Sequence, residues 1–282
     1  MPQRPVVGEV GPAPDVRTAL GPLVARPAST AILTDFDGTL SPIVADPYEA
    51  RPLDGADAVM ASLAGQFGEV AVISGRPVSF LEEHLAVPRA AHGGRRVRLV
   101  GLYGLEQSWG DGRIEVEPAA APWRRVVDAA VARLQRGAPP GVLVEPKGLT
   151  VTVHWRRAPE AEGWVTAAVS DEVGRSGLLA HPGRMSVELR PPLAVDKGSV
   201  VRRLVAACSA ACFIGDDVGD LPAFDALHAM AAEGGIDAVA VAVVDQESDP
   251  RVAAAADVVV EGQTRALELL AWLSRAAAAA GR

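Results

Sequence analysis

The stretch that most limits how this chain can fold is residues 31–40, AILTDFDGTL, a short apolar run (Ala31, Ile32, Leu33) that stops at two aspartates spaced i, i+2 and a glycine. An apolar run of that length, bounded by turn residues, fits a buried parallel strand. Alternate side chains of an extended backbone point the same way. Asp35 and Asp37 therefore both lean beyond the strand's carboxyl end, where open α/β sheets bind ligands. Two carboxylates that close raise each other's pKa unless a cation shares the site, and oxygen donors suit a hard divalent ion such as Mg2+. Gly38 permits a sharp turn whose N–H groups can face an anion, and Thr39 adds a hydroxyl. Taken alone, the same four residues also fit a helix N-cap or an Asx turn.

The rest of the chain repeats the pattern. A helix is expected over 54–66, and a second buried strand over 69–73 ends in Ser74-Gly75-Arg76-Pro77. A helix over 78–85 and a strand over 98–103 follow, closing in the glycine turn GLYGLE. Strand and helix in alternation define a doubly wound parallel sheet. From 106 to 190 the rhythm changes to a hairpin-like pair (106–109, 113–117), a helix over 123–136, strands over 142–145 and 149–155, a helix over 160–173, and strands over 178–181 and 185–190. The alternation in LTVTVHW is that of an antiparallel sheet with one polar face. At Asp196 the first rhythm resumes, with helices over 197–207, 221–232 and 265–279 and strands over 211–214, 238–244 and 257–260. The expected organisation is an α/β core from 1–105 and 191–282, split by an α+β cap at 106–190. Residues 1–27, rich in Pro and Gly, are expected to form a loose arm or a short helix over 16–24.

Composition narrows the partners. At 282 residues and a formal charge of −8, with no long Lys/Arg run, the chain is expected to bind neither nucleic acid nor an anionic membrane surface. Cys208 and Cys212 stand in an Ala-rich apolar segment and read as core atoms, and His154 reads as a strand residue. The first residues lack a signal-peptide core, and no apolar run of about 18 residues is present, so a cytoplasmic protein is expected.

Four strand-end signals stand in order: Asp35 with Asp37, Ser74 with Arg76, Lys197, and Asp216, Asp217 and Asp220 in GDDVGD. This order resembles the four-motif signature of the haloacid dehalogenase superfamily of phosphatases. The resemblance implies a Rossmann-like core with an inserted cap, Asp35 as nucleophile, and Asp37 as the acid and base that serves the leaving oxygen and then water. It implies Mg2+ held by the Asp35 carboxylate, the Asp37 backbone carbonyl and Asp216, with Asp217 and Asp220 orienting those groups. Gly38, Thr39, Ser74, Gly75 and Lys197 would hold the phosphate. Arg76 would touch the substrate, orient the site, or pair with a nearby acid.

The blocks LSPIVADP, VISGRP, GLYGLE, VEPKGLTVTVHWR and GRMSVELRPPLAVDKG narrow the resemblance to the trehalose-6-phosphate phosphatases. That family implies hydrolysis of trehalose 6-phosphate to trehalose and phosphate, the last step of trehalose biosynthesis, and a functional link to the synthase that makes the substrate. By the same resemblance Glu145, Lys147, Arg184 and Glu188 would bind sugar hydroxyls, although each also fits a surface ion pair on a sheet edge. Trp109, Trp123 and Trp155 read as lobe core rather than sugar platforms. The fourth motif departs from the family's GDDxTDE: Gly219 stands for the usual Thr and Leu221 for the usual Glu. That keeps two alternatives open, a phosphatase for another sugar phosphate (sucrose or glucosylglycerol phosphate) and a non-catalytic sugar-phosphate sensor. A P-loop or dinucleotide enzyme is excluded, since neither GxxxxGK[ST] nor GxGxxG occurs where it would be needed.

Overall fold

The structure is a computed structural model that describes residues 12–44, 46–87 and 96–280. The chain separates into two compact units, one built from residues up to Ile114 and from Val195 onward, the other from Glu115–Ala194. The first opens with α1 (Pro14–Ala19), α2 (Gly21–Ala25), β1 (Thr30–Thr34), α3 (Ala56–Gln66), β2 (Glu69–Ile73), α4 (Val78–His84), β3 (Val97–Gly101) and β4 (Glu106–Ser108). The second runs β5 (Glu115–Val116), α5 (Arg124–Gly137), β6 (Leu143–Pro146), β7 (Val151–His154), α6 (Glu162–Ser176), β8 (Leu179–Gly183) and β9 (Ser186–Arg190). The chain then completes the first unit with α7 (Lys197–Val205), β10 (Ala210–Gly215), α8 (Leu221–Ala232), β11 (Asp237–Val244), α9 (Pro250–Ala255), β12 (Val258–Glu261) and α10 (Gly262–Ala280).

In the first unit the strands lie in the order β12-β11-β10-β1-β2-β3-β4. All neighbours are parallel except β3 and β4. Every residue of β1 is buried, as a strand covered on both faces requires. Its period of two sends Ile32 to one side, with Val70, Val72, Leu99, Cys212 and residues of α1–α3 and α10. Ala31 and Leu33 go to the other, with Ile73, Phe213, Phe224 and residues of α7–α9. Two apolar layers on one parallel sheet are the doubly wound arrangement expected from sequence. Because β1 pairs with β10 in register, Thr34 against Ile214, the first and fourth motifs leave the sheet side by side.

Three expectations change. Of the two alternatives for the first residues, the loose arm gives way to the helix, which is two short helices over Pro14–Ala25 in place of one over 16–24: Val16, Leu20 and Leu23 are fully buried in the cluster that holds Leu269 and Leu273 of α10. Their i, i+4, i+7 spacing is a helical face, and Pro14 at the first turn costs no hydrogen bond there. Residues 1–11 of the expected arm lie outside the described residues. At the insert's start, β4 pairs antiparallel with β3, Val100 against Gln107, so the units divide after Ile114 and not after 105. The cause is the GLYGLE turn, where Leu102 and Tyr103 take left-handed backbone angles (φ 49° and 60°) and fold the chain back onto the sheet. At the insert's end the division falls at Ala194, four residues beyond the expected 190.

The second unit holds a four-stranded antiparallel sheet in the order β6-β7-β9-β8. Val144, Val151, Val153 and Leu189 form its apolar face, packed with Val127, Leu134, Val165 and Val169 of α5 and α6 and with Trp155. Trp123 lies half-buried against this cluster, and Trp109, in the first unit, lies under the Arg98 guanidinium at 3.9 Å.

Candidate active site

Asp35 and Asp216 follow the ends of β1 and β10, and the Asp35 N–H donates to the Ile214 carbonyl at 2.8 Å, continuing the ladder one residue. Lys197 opens α7 behind Asp196, whose carboxylate accepts the Ser199 N–H at 2.7 Å and so sets the helix start. The Lys197 ammonium, itself buried, lies 2.9 Å from Asp35 Oδ1 and 2.6 Å from Asp220 Oδ1. Asp220 is 0% exposed, and its second oxygen accepts the N–H groups of Asp216 (2.9 Å) and Asp217 (3.1 Å). It therefore braces both the lysine and the loop that carries Asp216. Carboxylate oxygens of Asp35, Asp216 and Asp220 lie within 4.8 Å of one another.

Three carboxylates around one ammonium leave negative charge uncompensated. Burial pushes Asp35 well above the ordinary carboxylate range; Lys197 pulls it back, and Asp220 and Asp217 push it further up. Asp216 is raised by burial and then by Asp35, Asp220 and Asp217. Burial alone would lower Lys197, yet Asp220 and Asp35 hold it well above its usual value. Asp216 Oδ1 and Thr39 Oγ1 are buried without a hydrogen-bond partner. Orphaned oxygen, excess negative charge and an all-oxygen donor set fit a hard divalent cation such as Mg2+.

The Asp37 side chain turns elsewhere. Arg76 clasps it bidentately, Nε to Oδ2 at 2.7 Å and Nη2 to Oδ1 at 2.8 Å, while Arg76 Nη1 donates to the Pro47 carbonyl at 2.6 Å. The guanidinium also lies 4.5 Å from the centre of the Phe80 ring. Of the three possibilities raised for Arg76, the pairing with a nearby acid is present. Gly38 differs from expectation too: its N–H donates to the Ser41 carbonyl at 2.7 Å, so it faces the turn and no anion. Gly38 instead supplies space. It has φ 77°, and a Cβ there would meet Asp216 Oδ2 at 1.9 Å.

Ser74 ends β2 fully buried, its Oγ accepting the Arg76 N–H at 3.1 Å and leaving its own O–H to donate. Gly75 is crossed closely by Tyr103, whose hydroxyl would lie 2.5 Å from a Cβ at that position. Asp217 is exposed, and its Oδ1 accepts the Gly219 N–H at 2.7 Å, closing the turn before α8. Leu221, in place of the family's glutamate, packs against the apolar cluster under that helix.

In the second unit the sheet register sets Glu145, Thr152, Glu188 and His181 in one row across β6, β7, β9 and β8. Lys147 Nζ lies 3.9 Å from Glu145 Oε2 and 3.6 Å from Glu188 Oε1. Thr150 Oγ1 donates to Glu188 Oε1 at 2.8 Å, Arg190 Nε to Glu188 Oε2 at 2.9 Å, and His154 Nε2 stands 2.8 Å from Glu145 Oε2. Burial would raise Glu188, but Lys147 and then Arg190 outweigh it and hold the carboxyl below its usual value. Arg184 is exposed in the turn between β8 and β9; the arginine on Glu188 is Arg190. Arg190, Thr150 and His154 were not singled out from sequence as binding residues. The period-two alternation around Glu188 and Lys147 was the signal that places them on this face.

A doubly wound core of the haloacid dehalogenase type, with acids at adjacent strand ends and an inserted α+β unit, is the class of protein these features define. The profile described as Trehalose-phosphatase matches residues 33–257, and the chain belongs to that family. It is 36% identical over 256 residues to a trehalose-phosphate phosphatase of Mycobacterium marinum, covering 86% of this chain and 61% of that protein. Its identity to the trehalose-phosphate phosphatase of Mycobacterium tuberculosis is 37% over 225 residues, 75% of this chain and 55% of that protein. The chain thus spans under two thirds of the length of these relatives. In structure it is similar to the C-terminal domain of Candida albicans trehalose-6-phosphate phosphatase (TM-score 0.72, 23% identity, 94% of this chain and 98% of that one). A trehalose-6-phosphate phosphatase related protein gives TM-score 0.72 at 22% identity, covering 87% and 97%.

Proposed function

We propose that this chain hydrolyses trehalose 6-phosphate to trehalose and inorganic phosphate through an aspartyl phosphate on Asp35. The observation that carries the reading is the buried Asp35 carboxylate, salt-bridged to Lys197 and beside Asp216, at a strand end inside the span matched by the family profile. An Asp35 oxygen attacks phosphorus, the ester bond to the sugar breaks, and the departing oxygen takes a proton from Asp37. Water then gives a proton to Asp37 and its oxygen to phosphorus, releasing phosphate and restoring Asp35. A proton on one Asp37 oxygen leaves the other for Arg76, so the guanidinium holds the acid in place through both steps. Lys197, with the hydroxyls of Ser74 and Thr39, offsets and orients the phosphate oxygens. Mg2+ held by Asp35, the Asp37 carbonyl and Asp216 would supply further neutralisation of the phosphate when bound.

Glu145, Lys147 and Glu188, and Arg184 from its turn, are assigned to the sugar hydroxyls. Both carboxylates are buried, Glu145 4% and Glu188 6% exposed. The missing hydroxyl at Gly219 and missing carboxylate at Leu221 favour, as a second reading, another phosphorylated sugar on the same chemistry. Among the described residues no helix is long and apolar enough to cross a membrane. Cytoplasmic action beside the synthase that supplies the substrate is part of the proposal.

The test is phosphate release from a panel of sugar phosphates, with Mg2+ and with EDTA, beside Asp35→Asn. Mg2+-dependent turnover confined to trehalose 6-phosphate and lost in the variant supports the proposal; turnover of a different sugar phosphate overturns the substrate, and undiminished turnover by the variant overturns the mechanism.

A further inference from the structure

In the Glu145–Thr152–Glu188 row the Thr152 hydroxyl is buried and makes no hydrogen bond, and the residue is 5% exposed. It stands directly across from Glu145 on one neighbouring strand and Glu188 on the other, and directly opposed residues share a face. Neither carboxylate takes it up. Glu188 accepts from Thr150 and Arg190 and lies near Lys147, and Glu145 holds His154. A buried hydroxyl left unpaired is costly, and valine has nearly the same shape without that cost. The strand around it is already valine-rich, with Val151 and Val153 as the neighbours on the opposite, apolar face. Packing therefore gives no reason for an oxygen at 152, whereas a ligand with hydroxyl groups does.

We infer that Thr152 is a further sugar-binding residue, its hydroxyl exchanging a hydrogen bond with a substrate hydroxyl held between Glu145 and Glu188. The ligand class is a polyol ring bearing vicinal hydroxyls, because one hydroxyl can reach a carboxylate while its neighbour reaches Thr152 Oγ1. A hydroxyl both donates and accepts, so Thr152 complements the two carboxylates, which only accept. It adds discrimination: an analogue lacking the matching hydroxyl would leave Thr152 buried and unpaired. The inference rests on the assignment of Glu145 and Glu188 to the sugar.

The experiment compares Thr152→Val, Thr152→Ser and Glu145→Gln in the full chain with Mg2+. KM and kcat for trehalose 6-phosphate are measured beside those for p-nitrophenyl phosphate, which has no sugar. Thr152→Val is expected to melt no lower than wild type, since it removes an unpaired hydroxyl. Its KM for the sugar phosphate should rise about three- to tenfold relative to that for the aryl phosphate, the value of one neutral hydrogen bond. Thr152→Ser, which keeps the oxygen, should recover most of that loss. A Thr152→Val KM ratio equal to wild type, with Glu145→Gln raised, overturns the role of Thr152 and leaves the sugar face standing. If Glu145→Gln also leaves the ratio unmoved, the assignment of this face to the sugar falls, and the inference falls with it. A shift in Thr152→Val that Thr152→Ser fails to restore would mark a packing effect and overturn the inference.

Discussion

A buried cluster of carboxylates in the core and another in the insert respond to burial in opposite directions. In the core, Asp35 and Asp216 are pushed well above the ordinary carboxylate range by burial and by each other's neighbourhood, with Lys197 alone opposing. In the insert, Glu188 is buried as deeply, yet Lys147 and Arg190 more than offset the burial and hold it low. The difference lies in who supplies the positive charge. The insert brings its own cations to each acid, and the core leaves a deficit that only a ligand can fill. The proposed division of labour follows this difference, with neutral hydroxyls assigned to the self-compensated cluster and a cation to the under-compensated one.

The comparison breaks most easily on activity. Asp35→Asn should lower kcat by at least about a thousandfold on sugar and aryl phosphates alike, because it removes the carboxylate proposed to attack, while circular dichroism stays that of wild type. Activity above about a tenth of wild type would place the nucleophile elsewhere. Next in size, Glu188→Gln should cost about 3 kcal/mol in thermal unfolding of the insert, since Lys147 and Arg190 lose the charge that holds them. The mirror substitution in the core should go the other way. In EDTA, Asp216→Asn is expected to melt higher than wild type, and Mg2+ at about a hundred times its dissociation constant should add about 2.7 kcal/mol to wild type and nothing to the variant. Equal signs for Glu188→Gln and Asp216→Asn would end the contrast.

The smallest effect is on the pH profile of metal-free protein, on the order of 1 kcal/mol. Asp35 and Asp216 titrate above their unfolded value of 3.8, so the folded state binds more protons and loses stability as pH rises from that value through the raised ones. Glu188 titrates below its unfolded value of 4.5, so its contribution is present above 4.5 and lost as pH falls through the folded value. Unfolding temperatures in EDTA should therefore show Asp216→Asn flattening the slope on the neutral side and Glu188→Gln flattening it on the acid side.

Much of this was legible from residues 31–40 and their echoes. Asp35, Ser74, Lys197 and Asp216 each close an apolar run or open a helix, and parallel pairing of β1 with β10 brings the first and last together. The pairings among them were not legible. Arg76 could reach several acids, and only the fold of the loop around Pro47 selects Asp37. Asp220 reads as one more acid in a turn, yet it fastens Lys197 and two backbone amides at once. Before β1 the sequence left a loose arm and a short helix equally open, because Pro and Gly dominate the local composition while three apolar residues at helical spacing carry the packing. Likewise α9 is only six residues, opened by Asp249 and Pro250, too short to show a period.

The interleaving of β1 with β10 also sets when the site can exist. Thr30 pairs with Ala210, so about 180 residues must be made after the first motif before its neighbour strand emerges from the ribosome. At about 5–20 residues per second that is roughly ten to forty seconds. The insert, continuous from Glu115 to Ala194, is synthesised within that interval and ends shortly before β10, and β1 throughout has a bare edge on the side β10 will occupy. The nascent chain thus passes through a stage in which β1, buried on every residue in the finished fold, is paired on one edge alone, and the two acidic strand ends meet only once β10 has been made.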